Sequence, residues 1–243
     1  MKRKNFFRVK PILVGEFGPV REDIKFRGGD PFKAETVPSY LFYLESGEKH
    51  IVVDTGLNPS QETAQLVGLE CKGEDLADLL QQESIDPEKV DLVICTHLHW
   101  DHVGNLELFK KARIVCQRSE IGWAFSPPHW EMGYLRVFLE PLWEASERIL
   151  AVDGNMKLFE GINLIKVGGH TPGSQVVEVD TAEGKVVIAG DLIMSFENLQ
   201  REWPIGLFWS LEECMRGIRY LREQDVLVLP GHDWKVGDID SIG

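Results

Sequence analysis

The stretch Thr96-His97-Leu98-His99-Trp100-Asp101-His102-Val103-Gly104-Asn105 decides how the rest of the chain is read. It places four potential metal ligands, His97, His99, Asp101 and His102, within six residues, directly after the apolar run Val90-Asp91-Leu92-Val93-Ile94-Cys95. That run reads as a buried strand. In an extended chain residues two apart leave the same face roughly 6 to 7 Å apart, so His97 and His99 can converge on one ion. Asp101 and His102 are adjacent, and a strand would send them to opposite faces, so the chain must bend if both are to bind. Gly104 and Asn105 suit such a bend. The simplest consequence is two metal positions, one served by His97 and His99 and one by Asp101 and His102. A lone histidine at a strand end is usually a surface or hydrogen-bonded residue. Three of the chain's seven histidines clustered around a carboxylate are poorly explained by packing, because such groups cost free energy when buried unless they are paired or bind metal.

Upstream, Pro38 to Leu44 and His50 to Asp54 are β-rich runs separated by Glu45-Ser46-Gly47-Glu48-Lys49, and they read as a hairpin. It ends in Asp54-Thr55-Gly56, which is either a simple turn or the holder of a carboxylate that orients a ligand imidazole. Leu76, Leu79 and Leu80 recur at helical spacing before Asp86-Pro87. A helix feeding a strand suggests a mixed α/β layer.

Downstream, Ala112 to Cys116 reads as a strand and Arg118 to Phe125 as a helix. Trp123, Phe125, Trp130, Tyr134, Phe138 and Trp143 then crowd a segment at about 123–148. They form either a satellite core or a cap over the metal site. His129, alone within it, is not expected to be a ligand. Ile162 to Val167 reads as a strand ending in Gly168-Gly169-His170, and Lys185 to Ala189 as one ending in Gly190-Asp191. Val226 to Pro230 ends in Gly231-His232-Asp233. Ser210 and Glu213 predict a capping box opening a helix with Leu211, Cys214, Met215, Ile218 and Leu221 on one face. Four apolar strands thus end in candidate ligands, at His97 to His102, His170, Asp191 and His232.

A hydrophobic fraction of 43% with 27% charged residues predicts a sizeable core in the 243 residues. The net charge of −13 argues against nucleic-acid partners, which need a basic surface. Met1-Lys2-Arg3-Lys4 resembles the start of a signal peptide, but the charges and proline of Phe6-Phe7-Arg8-Val9-Lys10-Pro11 break any apolar run. No run approaches the roughly 18 apolar residues of a membrane span, and a cytoplasmic protein is expected. Cys71, Cys95, Cys116 and Cys214 lack metal-site spacing and read as reduced small hydrophobes.

With these residues in place, the chain resembles the metallo-β-lactamase superfamily over nearly its whole length. His97-Leu98-His99-Trp100-Asp101-His102 matches its H-x-H-x-D-H motif, Asp54-Thr55-Gly56 its D-T-G turn, and His170, Asp191 and His232 its later ligands. The resemblance implies an α/β fold, an αββα sandwich of two mixed sheets flanked by helices, in one domain spanning 1–243. It also implies a dinuclear site with two divalent ions, usually zinc and in some members iron or manganese. Within the superfamily the chain is most similar to the quorum-quenching N-acyl-homoserine lactonases. The similar pieces are Val37-Pro38-Ser39-Tyr40, Val53-Asp54-Thr55-Gly56, Gln117-Arg118-Ser119-Glu120, Glu197-Asn198 and Gly231-His232-Asp233. That likeness implies that one ion takes His97, His99 and His170 and the other Asp101, His102 and His232, with Asp191 bridging. It further implies a tyrosine donor three residues after Asp191, where this chain has Met194.

The expected chemistry is hydrolysis of a small-molecule lactone by a monomer or homodimer. Two ions roughly 3.5 to 4 Å apart lower the pKa of a water from near 16 towards about 7. Asp101 and Asp191 are the catalytic candidates, with Asp101 also a general acid for the leaving oxygen. Asp54 and Thr55 are candidates for orienting the ligands. Trp123, Trp130, Phe196, Trp203, Ile205, Phe208 and Trp209 are candidates for holding an acyl tail. Met194 keeps a second reading alongside, a hydrolase of another ester, thioester or cyclic amide. A redox di-iron protein would need a flavin domain, which the 243 residues are not expected to contain. A non-catalytic metal module is disfavoured by the full ligand set.

Overall fold

The longest strand, β1 (Arg8–Arg21), is one the sequence pattern did not announce. Pro11, Gly15 and Gly18-Pro19 interrupt its alternation, and its pairing with β2 (Ala34–Ser46) shifts register twice, between Leu13 and Gly15 and between Phe17 and Val20. Gly15 is required by close approach, since a Cβ there would lie 2.4 Å from the Lys72 carbonyl oxygen of β4 (Glu70–Gly73). The expected hairpin is present, with β2 antiparallel to β3 (Lys49–Val53). Next to β3 run β5 (Leu92–Ile94), β6 (Arg113–Gln117) and β7 (Ile149–Val152), all parallel. The seven-stranded sheet is ordered β4-β1-β2-β3-β5-β6-β7.

A second sheet holds β8 (Met156–Phe159), β9 (Ile162–Lys166), β10 (Gln175–Thr181), β11 (Gly184–Ile188) and β12 (Leu227–Leu229), in the order β12-β11-β10-β9-β8. This computed structural model describes residues 6–144 and 146–243, so Met1-Lys2-Arg3-Lys4 lies outside the described residues. No helix among them is long and apolar enough to cross a membrane.

Alternation along the strands builds three apolar layers. Phe42, Leu44, Ile51, Val53, Ile94 and Val115 of the first sheet face Ile162, Leu164, Val177, Val179, Val186 and Ile188 of the second. Their neighbours Leu41, Val52, Val93 and Ile114 face outward, against Leu76 and Leu80 of the helix Leu76–Gln82 and against Leu139 and Leu142 of the helix Arg136–Glu144. On the far side, Val176, Val187 and Val228 pack against Ile218 and Leu221 of the helix Leu211–Glu223. The result is the expected αββα order. Central strands buried on both faces read as continuous apolar runs, which is why the sequence located them. Truncating a side chain such as Leu164, fully buried between the sheets, to alanine would cost about 2–5 kcal/mol.

The same topology gathers the candidate ligands. β9 and β11 are both antiparallel to β10, and β12 is parallel to β11, so the three strands end at one edge of their sheet. The Gln175 N–H donates to the Thr96 carbonyl at 2.9 Å and its side-chain amide donates to the Cys95 carbonyl at 2.8 Å. Those bonds join the start of β10 to the chain leaving β5. All four cysteines are free, and Cys95, Cys116 and Cys214 are buried.

Candidate metal centre

At that edge the chain leaves β5 extended through His97 and His99, then turns into the short helix Trp100–Val103. The turn is the bend that the adjacent Asp101 and His102 demanded. Seven side chains meet there in two groups, His97, His99 and His170 in one and Asp101, His102, Asp191 and His232 in the other. Within each group the offered ligand atoms all lie within 4.8 Å of one another, and every residue is buried. The groups adjoin, with the His97 and His102 rings 4.2 Å apart. Asp191 lies between them. Its Oδ1 is 3.0 Å from His232 Nε2 and 3.2 Å from His102 Nε2, while its Oδ2 is 3.7 Å from His170 Nε2. Asp101 Oδ2 is 3.4 Å from His232 Nε2. His129 is exposed and belongs to neither group.

Oxygen atoms behind the rings fix their orientation. His102 Nδ1 donates to Asp54 Oδ2 at 2.8 Å, His170 Nδ1 to the Leu207 carbonyl at 2.8 Å, and His232 Nδ1 to the Pro38 carbonyl at 2.7 Å. His97 Nδ1 lies 3.2 Å from Thr96 Oγ1, which itself donates to Asp54 Oδ2 at 2.7 Å. Each of these four imidazoles therefore points its Nδ1 at an oxygen behind it and turns its Nε2 inward. Asp54 sits at φ 55°, a left-handed conformation that aims its carboxylate at both Thr96 and His102. Asp54 is thus the holder of an orienting carboxylate. Thr55 braces the loop, its hydroxyl accepting from the Asn105 N–H at 3.1 Å.

Burial together with the neighbouring imidazoles holds His97 and His99 well below the ordinary histidine range. Burial would lower His102 and His232 as well, but carboxylates outweigh it. Asp191, Asp54 and Asp101 draw His102 well up, and Asp191 and Asp101 raise His232. Burial would raise Asp191, yet His232 and His102 hold it well below the usual carboxylate range. One half of the cluster brings imidazoles alone, with His97 and His99 held neutral, and the other demands positive charge.

These residues fit divalent ions. His97 Nε2 and Asp191 Oδ1, which face into the cluster, are buried without a hydrogen-bond partner. His102 Nε2 and His232 Nε2 stand 3.3 Å apart, a meeting of two lone pairs that repel unless a cation lies between them. Imidazole and carboxylate donors suit zinc and its first-row neighbours.

Two supporting residues escaped sequence reasoning as such. Glu120, fully buried, accepts from the Leu98 N–H at 3.0 Å, Tyr134 Oη at 2.7 Å, Thr171 Oγ1 at 2.6 Å and the Gly173 N–H at 3.1 Å. It ties the His97–His99 loop to the His170 loop. Burial raises its pKa while those donors oppose the rise. Glu213 corrects the capping-box expectation. Ser210 Oγ does accept from the Glu213 N–H at 3.3 Å, but the Glu213 carboxylate reaches out to the Gly169 N–H at 3.1 Å, beside His170.

The aromatic segment divides. Tyr134, Leu139 and Leu142 are buried in the outer core, whereas Trp130, Met132 and Trp143 are 56%, 75% and 70% exposed. Among the acyl-tail candidates, Ile205 is fully buried and Trp203 packs on Phe26, away from the cluster. Trp209 meets Trp123 edge to face, and its backbone N–H donates to the Gly169 carbonyl at the His170 loop. Met194 is buried with Phe17, Trp100 and Ile205, and Phe17 in turn lies edge-on to the His232 ring.

Comparison with known proteins gives a consistent picture. The metallo-beta-lactamase superfamily model matches residues 34–232. The chain is 26% identical over 213 residues to an N-acyl homoserine lactonase of Bacillus sp, covering 81% of this chain and 82% of that protein. It is 30% identical over 207 residues to metallo-beta-lactamase domain-containing protein 1 of Xenopus laevis, covering 84% and 73%. Among solved structures it is similar to an N-acyl homoserine lactone hydrolase with the product N-hexanoyl-L-homoserine at its catalytic metal centre. The TM-score is 0.84 at 22% identity, covering 97% of this chain and 96% of that one.

Proposed function

The chain belongs to the metallo-beta-lactamase superfamily, and from that premise we propose that it is a dinuclear metal hydrolase opening the ring of N-acyl homoserine lactones. His97, His99 and His170 would hold one divalent ion, Asp101, His102 and His232 the other, and Asp191 would serve both. Zinc is the metal proposed, with iron and manganese as rivals. The observation that carries the reading is Asp191, with one carboxylate oxygen on each half of a cluster whose bare nitrogens face inward. Curated relatives at this similarity that are named lactonases, across more than four-fifths of the chain, supply the substrate class.

When bound, such an ion pair supplies an attacking oxygen at neutral pH and a Lewis acid for the ester carbonyl. The protein's own part is orientation and proton handling. Asp54, Thr96 and the Leu207 and Pro38 carbonyls hold four rings in one orientation. Asp101, whose backbone carbonyl is held by Ser39 Oγ at 2.8 Å, would take up the proton released by the attacking water and pass it to the leaving ring oxygen. The whole of 1–243 acts as one unit, with the segment at about 123–148 as its cap. The enzyme works on a small molecule in the cytoplasm, as a monomer or homodimer.

The second reading is a hydrolase of another small ester, thioester or cyclic amide. Met194 favours it, because a thioether packed against Phe17 and Trp100 gives a substrate carbonyl no donor. Purified, zinc-loaded protein should open acyl-homoserine lactones with higher kcat/KM than it cleaves aryl esters or glutathione thioesters. The reverse order would hand the site to the second reading.

A further inference from the structure

Of the five imidazoles, His99 is turned the opposite way. Its Nδ1 faces His170 Nε2 at 2.9 Å, so its Nε2 points out of the cluster. That nitrogen is buried and has no hydrogen-bond partner. The carboxylate facing it belongs to Glu131, with Oε1 at 3.6 Å and a side chain only 11% exposed. A separation of 3.6 Å is too long for a hydrogen bond.

Glu131 is nonetheless aimed there. The same Oε1 accepts from the Gly133 N–H at 2.9 Å, which fixes the carboxylate over its own loop. The Gly133 carbonyl accepts from the Trp100 N–H at 3.0 Å, so the loop is bonded to the residue after His99. Gly133 also lies flat on the imidazole, where a Cβ would come within 2.4 Å of His99 Cδ2. Tyr134 closes the other side, its ring centroid 4.6 Å from that of His99. Three residues of one short stretch, Glu131, Gly133 and Tyr134, thus wrap one candidate ligand.

We propose that Glu131 is the positioning residue of His99, and that an ion held by His97, His99 and His170 draws the segment 126–135 down onto the site. The inference rests on the metal reading above. A cation on Nδ1 obliges His99 to keep its proton on Nε2 and makes that N–H a stronger donor. A buried donor without an acceptor is unfavourable, and contraction by about half an ångström to one ångström would give it a charge-assisted bond to Glu131. Linkage then requires the reverse effect, so that the seated segment tightens the ion by the same factor.

The test compares the full-length protein, metal-free and zinc-loaded, with Glu131→Gln and Glu131→Ala. Glutamine can still accept from Gly133 but offers His99 no charge. Hydrogen exchange over 126–135 should slow about tenfold or more when zinc is added to the wild type, and much less in either variant. Chelator competition should show one of the two ions held about 10- to 100-fold more weakly in Glu131→Ala, with Glu131→Gln between it and the wild type. Glutamine matching the wild type in both readouts would mean that residue 131 only tethers the loop, and would overturn the proposal. So would unchanged exchange on zinc addition in a wild type that binds two ions. A wild type that binds no zinc would overturn the metal reading and this inference together.

Discussion

The two halves of the cluster differ in how they can hold a cation. His97, His99 and His170 bring no carboxylate, and burial suppresses protonation of the first two, so the positions of three rings decide what binds. Asp101, His102, Asp191 and His232 bring two carboxylates, and the charge itself demands a cation. The first half therefore depends on the loops behind it, through Glu120, Glu131 and the Leu207 carbonyl. The second depends on its own charge, on the Pro38 carbonyl and on Asp54, which holds His102 directly and reaches His97 of the first half only through Thr96. Asp191 alone contributes to both.

That contrast can be broken at Asp191. Asp191→Ala should lose both ions and reduce lactone turnover at least about a thousandfold, some 4 kcal/mol of transition-state stabilisation. A variant retaining either ion at wild-type affinity would make the halves independent. Next in size is Glu120→Ala, which removes the shared acceptor of four buried donors. Chemical denaturation should show a loss of about 3 kcal/mol. Affinity should fall for one ion only, because Glu120 braces the histidine half. Equal weakening of both ions would erase the distinction. Asp54→Asn is smaller, since asparagine tolerates the left-handed backbone. It should weaken the ion of the carboxylate half about 10- to 100-fold in a chelator titration.

The smallest effect lies outside the cluster and serves as its control. Glu178, on β10, accepts from Lys185 Nζ at 2.7 Å, from Asn163 Nδ2 at 3.1 Å and from the Tyr220 hydroxyl. Burial would raise its pKa, but these partners lower it below the ordinary glutamate value. A carboxylate depressed in the folded state contributes stability above its unfolded pKa and loses it as pH falls through the folded pKa. Urea midpoints of the metal-free protein should therefore fall with acid across the carboxylate range, and less steeply in Glu178→Gln. Parallel curves for the two proteins would remove Glu178 from the account.

What sequence could reveal followed the same division. The ligands were legible because their chemistry is concentrated in residue type, at the ends of apolar strands buried on both faces. The bend at Asp101 followed from side-chain alternation alone. The supports were not, for they act by position. The Leu207 and Pro38 carbonyls carry no residue-type signal, and Glu131 looks like any charged residue of a surface loop. Glu213 had a local explanation that concealed its bond to Gly169. β1 was hidden by the glycines and prolines that its bulges and its contact with β4 require. β4, β7 and β8, four residues each and partly exposed, show too few alternations to be read.

The most direct test is a count of zinc per chain after metal removal and reloading, for the wild type, His170→Ala and Asp191→Ala. The account predicts two ions, one and none, with lactone ring opening lost in both variants. A wild type that loads no zinc, or an Asp191→Ala that still holds two, would contradict it.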